Sequence, residues 1–319
     1  MRKFLASGKF FKLICAAGNE NLQQVEKLVY IYSKAGCRFF DVAASKNIVE
    51  IAKNAIEKAN LKDKIFLCAS IGTKNDPHIQ KAFIKEFCNH CGECIKICPQ
   101  RAISDFKVKK NKCIGCSKCY NICDLNAIQL EAQKQDLQTF LPALINVGID
   151  SIEFHISDFD DEVFEKWEWL NKNFDGILSV SIGSSKLKEV EVIAILDKLL
   201  KTRPPYTTII QADGTPMSAD KNDFATTQKC IETGLLIQKQ NYKAYLNLAG
   251  GTNLKTATLS QEKSLNFDGI ALGTFARKAV DNYIFDDNFW NDENLQQEAI
   301  NIAKKIIAQT FPCQSQVIP

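Results

Sequence analysis

Two runs of four cysteines share one spacing. The first is Cys88, Cys91, Cys94 and Cys98, and the second is Cys113, Cys116, Cys119 and Cys123. Both read C-x2-C-x2-C-x3-C, the spacing that presents thiolates to a cubane iron–sulfur cluster. Gaps of two residues turn the chain enough to aim three successive sulfurs inward, and the fourth ligand comes from elsewhere. In two-cluster ferredoxins the last cysteine of each run crosses to the other cluster. The expected ligand sets are therefore Cys88, Cys91, Cys94 and Cys123 for one [4Fe–4S] cluster, and Cys98, Cys113, Cys116 and Cys119 for the other. A zinc site needs only four ligands, usually two C-x2-C pairs, so eight cysteines in this pattern overshoot it. Disulfides need an oxidising compartment.

The runs also form an internal repeat. Each ligand recurs 25 positions on, and Ala102-Ile103 recurs as Ala127-Ile128. A repeat that extends beyond the ligands implies a pseudo-twofold module. Its two halves differ at one place: Pro99 follows the first run and Asp124 follows the second.

The elements around the runs alternate. Strand candidates fall at 12–17, 38–43, 64–71, 151–156, 176–182, 207–212, 243–249 and 269–273. Segments with helical periodicity lie between and after them, near 20–35, 47–60, 135–147, 161–173, 187–202, 224–240, 255–264 and 294–310. Strands separated by helices imply a parallel sheet, and eight such pairs predict an α/β fold, a closed (β/α)8 barrel of the TIM type. An open doubly wound sheet is the alternative, and the absence of a G-x-G-x-x-G fingerprint weighs against it. The expected domains are 1–78 (the first three barrel units), 79–131 (an inserted α+β module like a bacterial ferredoxin) and 132–319 (the remaining units and a C-terminal helix). A loop after a barrel strand emerges at the C-terminal face, where barrel active sites lie. The clusters are thus expected beside the barrel mouth.

Polar residues near the strand ends are Asp41, Glu153, His155, Ser181, Gln211, Asp213 and Asn247. Asp41, His155, Gln211 and Asn247 are the candidates for contact with a substrate. Gly250, Gly251, Gly273 and Thr274 follow the seventh and eighth strands, the usual phosphate site of this fold. They resemble the phosphate grip of FMN-binding barrels, so FMN or another phosphate-bearing ligand is a candidate cofactor. Arg277 is placed either to assist that anion or to face solvent. Segment 281–293 is read as a packed connection to the last helix, with a lid as the alternative.

The 319 residues carry a formal charge of +3. The surplus is local: segment 80–130 has nine Lys or Arg against four Asp or Glu. These lysines offset cluster charge, or form a docking face for an acidic redox or signalling partner. They carry no regular aromatic–basic interleaving, which argues against nucleic acid. No apolar run reaches the roughly 18 residues of a membrane span. Lys9 and Lys12 interrupt the apolar N-terminal stretch, so it reads as a lead-in to a strand and the expected compartment is the cytoplasm. Cys15, Cys37, Cys68, Cys230 and Cys313 are expected to be buried small hydrophobes. His90 is read as a surface residue tuning a cluster, and His78 as loop.

The opening GKFFKLICAAGNENLQQVEKLVYIYSKAGCRFFDVAASKNIVEIAKNAI, the double cysteine motif and QADGTPMSAD resemble the cyanobacterial light-dependent period (LdpA) family. The resemblance spans most of the chain. It implies an iron–sulfur protein that reports redox state to circadian clock input, a role that would fall on the eight cysteines. It does not establish a catalytic activity for the barrel. Two classes of function follow: a redox sensor or regulatory electron-transfer protein, or an iron–sulfur flavoprotein oxidoreductase with FMN in the mouth.

Overall fold

The computed structural model describes residues 1–73, 76, 79–133, 136–184, 187–214 and 223–311. Cys313, His78 and part of QADGTPMSAD lie outside the described residues. The strands are Phe10–Ile14 (β1), Phe39–Ala43 (β2), Phe66–Gly72 (β3), Gln80–Ile84 (β4), Ile103–Ser104 (β5), Lys107–Val108 (β6), Ile128–Ala132 (β7), Ser151–His155 (β8), Ile177–Ile182 (β9), Thr208–Asp213 (β10), Tyr245–Ala249 (β11) and Gly269–Leu272 (β12). Eight of them close a parallel barrel in the order β1-β12-β11-β10-β9-β8-β3-β2. The expected (β/α)8 barrel is the fold of this chain.

The helices are Arg2–Leu5 (α1), Leu22–Lys34 (α2), Lys46–Ala59 (α3), Glu93–Ile97 (α4), Lys118–Asn121 (α5), Leu137–Val147 (α6), Asp161–Asn173 (α7), Glu189–Lys201 (α8), Asp223–Gln238 (α9), Thr256–Glu262 (α10), Thr274–Ala279 (α11), Asp281–Ile284 (α12) and Glu293–Thr310 (α13). Local chemistry sets several of their ends. Asn21, Asp136, Asp160 and Asp292 each accept a hydrogen bond from an amide of the first turn that follows, which satisfies donors the helix leaves free. Gly148, at φ 96°, ends α6.

Strand alternation builds two cores. Phe11, Leu13, Phe40, Val42, Leu67 and Ala69 point outward and join the helices in the main apolar cluster. Phe10, Phe39, Phe66, Ile177, Ile209 and Tyr245 point inward and form the bottom layer of the barrel, closed from below by Leu5 of α1. Two residues further along β1, β2, β9, β10 and β11 the interior becomes polar, with Lys12, Asp41, Ser179, Gln211 and Asn247, whereas Cys68 on β3 stays with the apolar layer.

The cysteine runs lie between β3 and β8. There β4 pairs antiparallel with β7, and β5 with β6. Ala82, Ala102, Ile103 and Ile128 form a separate apolar core with Cys94, Cys113 and Cys119. Segment 281–293 is packed: Phe289 is fully buried and Ile284 nearly so. Trp290 and Phe289 both meet Tyr30 edge-on. Cys15, Cys37, Cys68 and Cys230 are buried, as expected of small apolar residues.

Candidate functional site: a cysteine module beside a polar barrel

The eight cysteines line two cavities. One is bounded by Cys88, Cys91, Cys94 and Cys123, with Ile122 and Ile128 among its walls. The other is bounded by Cys98, Cys113, Cys116 and Cys119, with Ala82, Ala102 and Leu130. Each cavity therefore takes three cysteines of one run and the last of the other. The backbone repeats as the sequence does. His90 and Gly115, Gly92 and Ser117, and Arg101 and Asn126 stand 25 positions apart, and all six have positive φ. Left-handed residues at matching places fold both ligand loops the same way. Ser117 adopts this conformation without being glycine, at φ 60°.

Amides point at the sulfurs. Ala102 donates to Cys98 Sγ at 3.3 Å and Ala127 donates to Cys123 Sγ at 3.3 Å. The repeated alanines thus serve the two cysteines that cross over. Ala82 donates to Cys113 Sγ and His90 to Cys88 Sγ, both at 3.4 Å. Such bonds stabilise thiolate charge and are among the factors that set cluster potentials. Burial pushes the Cys119 thiol up to about 12, with the neighbouring Cys116, Cys113 and Cys98 sulfurs adding to it. Burial also raises Cys94, helped by Cys88 and Cys91. Thiols raised in this way ionise when a metal takes the proton's place. The His90 ring is exposed at the surface and stacks on Phe106, 4.3 Å between centroids.

The second feature is inside the barrel. Lys12, Asp41, Glu153, Gln211 and Asn247 are buried and come from five different strands. Lys12 Nζ donates to a Glu153 carboxylate oxygen and to Gln211 Oε1, the latter at 3.2 Å, and lies 3.6 Å from Asp41. Gln211 donates to Glu153 at 2.7 Å, and Asn247 donates to Gln211 at 2.9 Å. Ser179 also donates to Glu153, and Ser70 to Asp41. His155 Nε2 lies 3.3 Å from Glu153 and 3.4 Å from Ser70. The four substrate candidates, Asp41, His155, Gln211 and Asn247, are thus brought into one network.

The network's charges support one another. Burial pushes Glu153 up, but the Lys12 ammonium and the His155 ring more than offset this and hold its carboxyl well below the usual range. Burial works against the Lys12 ammonium, yet Glu153 and Asp41 raise it overall. Burial raises Asp41 to about 6, against the pull of Lys12. His155 is disfavoured by burial, but its bond to Glu153 and the charges of Asp76, Glu153 and Asp41 raise it to about 9. Ligand atoms of Asp41, Glu153 and His155 lie within 4.8 Å of one another, a spacing that suits a divalent ion. The Lys12 ammonium already stands among them, so the carboxylates hold a lysine there.

Lys12 is the residue that sequence reading missed as part of the site. Its strand begins at Phe10, not Lys12, so Lys12 shares the inward face with Phe10. The period-two alternation of Phe10, Lys12 and Ile14 is the signal that would have found it.

The glycine loops are closely packed by neighbouring side chains. Gly250 and Gly251 have positive φ, 65° and 85°. A Cβ on Gly250 would meet Asp213 Oδ1 at 1.9 Å, so the turn needs glycine and packs against a carboxylate, which would repel an anion nearby. The Gly251 carbonyl accepts from Thr227 at 2.7 Å. Gly273 precedes α11, and a Cβ there would meet Arg277 Nη1 at 3.3 Å. Arg277 is buried and engaged: Nη1 donates to the Ile14 carbonyl at 2.7 Å and Nη2 to Thr274 Oγ1 at 3.3 Å.

Comparison with known proteins places the chain. The profile of the LdpA Fe-S cluster-binding domain matches residues 88–134, and that of the Light dependent period A C-terminal domain matches residues 143–310. Light dependent period A of Synechococcus elongatus is 32% identical over 270 residues, 82% of this chain and 76% of that protein. The chain belongs to the light dependent period A family. Its cysteine module is the family's iron–sulfur cluster-binding domain, and iron–sulfur is its cofactor class. The barrel itself is widely shared: the YdjI aldolase of Escherichia coli K12 superposes with a TM-score of 0.53 at 10% identity, over 98% of this chain and 96% of that one. That likeness is one of fold. Among the described residues, no helix is long and apolar enough to cross a membrane.

Proposed function

We propose that the chain binds two [4Fe–4S] clusters and works as a redox sensor in light-dependent circadian input. Cys88, Cys91, Cys94 and Cys123 would hold one cluster, and Cys98, Cys113, Cys116 and Cys119 the other. The observation that carries this reading is the sorting of eight cysteines into two cavities, each completed by the last cysteine of the opposite run. Spacing argues against zinc. Bonds of about 2.3 Å to one tetrahedral zinc would keep four sulfurs within about 4 Å of one another. Among the described residues, no three cysteine sulfurs come within 4.8 Å. Wider spacing than zinc requires supports a multi-atom cofactor.

The chain's own groups would do three things for such clusters. The thiolates bind them. The amides of Ala82, Ala102 and Ala127 hold negative charge on the sulfurs. The basic surplus of the module, with Lys109 and Lys110 exposed, offers a docking face to an acidic redox or signalling partner. When bound, the clusters supply one-electron redox chemistry. Membership in the family supports the regulatory reading over an enzymatic one. The carboxylate beside Gly250 gives FMN no support. The buried thiols and the iron–sulfur chemistry favour a cytoplasmic setting.

Anaerobic purification with iron and sulfide analysis tests this. About eight irons per chain, no zinc and no flavin in the denatured supernatant are expected, with a reduced-state electron paramagnetic resonance signal from two interacting clusters. Fewer than about four irons, or stoichiometric zinc, would overturn the two-cluster reading.

A further inference from the structure

The two cysteine quartets have different surroundings. In the first, Cys91 is exposed, Cys88 and Cys123 are half-buried and Cys94 is buried; in the second, Cys98 and Cys116 are half-buried and Cys113 and Cys119 are buried. Cys113 also stands where the module meets the barrel. Lys81, on β4, is only 5% exposed, unusual for a lysine. Its ammonium donates to two carbonyls, Cys113 O at 2.7 Å and Gly18 O at 2.6 Å, and lies 3.8 Å from the Glu20 carboxylate. The next residue, Ala82, sends its amide to Cys113 Sγ. Gly18 and Glu20 belong to the loop after β1, and the Glu20 amide donates to the Asn111 carbonyl of the module at 2.9 Å.

That loop is rooted in the barrel's polar interior. The Cys15 amide donates to the Asp41 carbonyl at 2.8 Å. The Cys15 carbonyl accepts from the Asn19 side chain at 3.4 Å. The Ile14 carbonyl is held by Arg277. Hydrogen bonds and the short loop 15–20 together thus connect Cys113, through Lys81, to the strand that carries Lys12.

We infer that Lys81 couples the cluster held by Cys113 to the barrel: it raises the potential of that cluster and transmits the cluster's charge state to the loop at 15–21. This rests on the two-cluster reading proposed above. Reduction transfers one electron from a one-electron donor to the cluster; no covalent bond forms or breaks and no proton moves. The added negative charge draws the ammonium harder toward Cys113, at the expense of its bonds to Gly18 and Glu20. A fixed cation also favours the more negative, reduced state, more so for a buried cation than for one in water. A pin with a purely structural role would hold the loop equally in both redox states, and this separates the two.

The full chain, purified without oxygen and titrated with dithionite, provides the test. Iron and sulfide counts on the unmodified protein come first, so that failure of the two-cluster reading is seen separately. Lys81→Met should leave about eight irons and make one cluster harder to reduce, by about tenfold in the reduction equilibrium, or about 59 mV for one electron. The other cluster should keep its potential. Lys62→Met removes the same charge from an exposed site outside the module and should shift neither. In the unmodified protein, amide hydrogen exchange over residues 15–21 should differ between oxidised and reduced forms, and Lys81→Met should abolish the difference. Should Lys81→Met lose a cluster, Lys81→Arg keeps the charge and must keep the potential and the redox-dependent exchange. Unchanged potentials in a fully loaded Lys81→Met, or equal exchange of the loop in both states of the unmodified protein, overturns the proposal.

Discussion

The cysteine module and the barrel interior both gather reactive side chains, but they do so on different length scales. In the module, the residues that share a cavity come from short runs 25 positions apart. Its folding elements are small, with β5 and β6 of two residues each and α5 of four, and its core counts cysteines among its members. In the barrel, Lys12 meets Glu153 and Gln211 across 141 and 199 residues of chain. There the scaffold stands first, and the side chains are hung on it. The cofactor is expected to be structural in the module, because so small a core has little else to bury, while the barrel is expected to stay folded without it.

The largest effect expected from breaking this comparison falls on the module. Cys91→Ser should cost about half of the iron, and Cys123→Ser should lose the same cluster although it belongs to the other run. Cys98→Ser should then match Cys116→Ser. Iron analysis combined with the resonance signal of the remaining cluster sorts the four variants into two pairs. If Cys123→Ser pairs with Cys116→Ser, the ligands do not cross over.

A change in the barrel should act on stability and leave the iron alone. Glu153→Ala strands a buried ammonium beside Asp41, and removing one partner of a buried pair costs about 3–5 kcal/mol. Urea denaturation should show this loss with the iron content unchanged. The double variant Lys12→Met, Glu153→Leu removes both charges and should recover most of it, because apolar replacements for buried pairs are often neutral or better. If Glu153→Ala strips iron as readily as Cys91→Ser does, the two regions are not independent in folding.

The contrast also explains what could be read before the fold was known. Eight strand–helix pairs were legible because both periods are local: FFDVA at 39–43 and NIVEIAKNAI at 47–56 carry their own patterns. The ligand sets were legible because the spacing is itself the geometry. Lys12 was not, since a charge within FFKLI reads as a break until the strand is known to begin two residues earlier. Lys81 lay hidden among nine basic residues that look alike in sequence. Only its burial against Gly18 and Cys113 separates it from exposed Lys109 and Lys110. The packing of the glycines after β11 was hidden for a related reason. Gly250 and Gly251 have positive φ, but the carboxylate beside Gly250 comes from Asp213, 37 residues earlier.

The smallest expected effect is a pH dependence that belongs to the barrel. His155 is raised from an ordinary 6.5 to about 9 by Glu153 and the nearby carboxylates, against the effect of burial. A group raised on folding contributes stability that is fully present below 6.5 and is lost as pH climbs through about 9. Asp41, raised to about 6 from 3.8, acts in the same sense but in a lower window. Glu153, held low, acts in the opposite sense and only on acidification. Between pH 6.5 and 9 the dependence within this network is thus that of His155. The shift corresponds to about 3 kcal/mol at most. Urea midpoints of the unmodified protein should fall across this window relative to those of His155→Gln, which should lack that component. Histidine-labelled nuclear magnetic resonance should find the ring protonated at pH 7. A ring that titrates near 6.5 would mean that Glu153 spends its charge on Lys12 alone, and would leave the barrel interior as a two-residue ion pair with a neutral imidazole beside it.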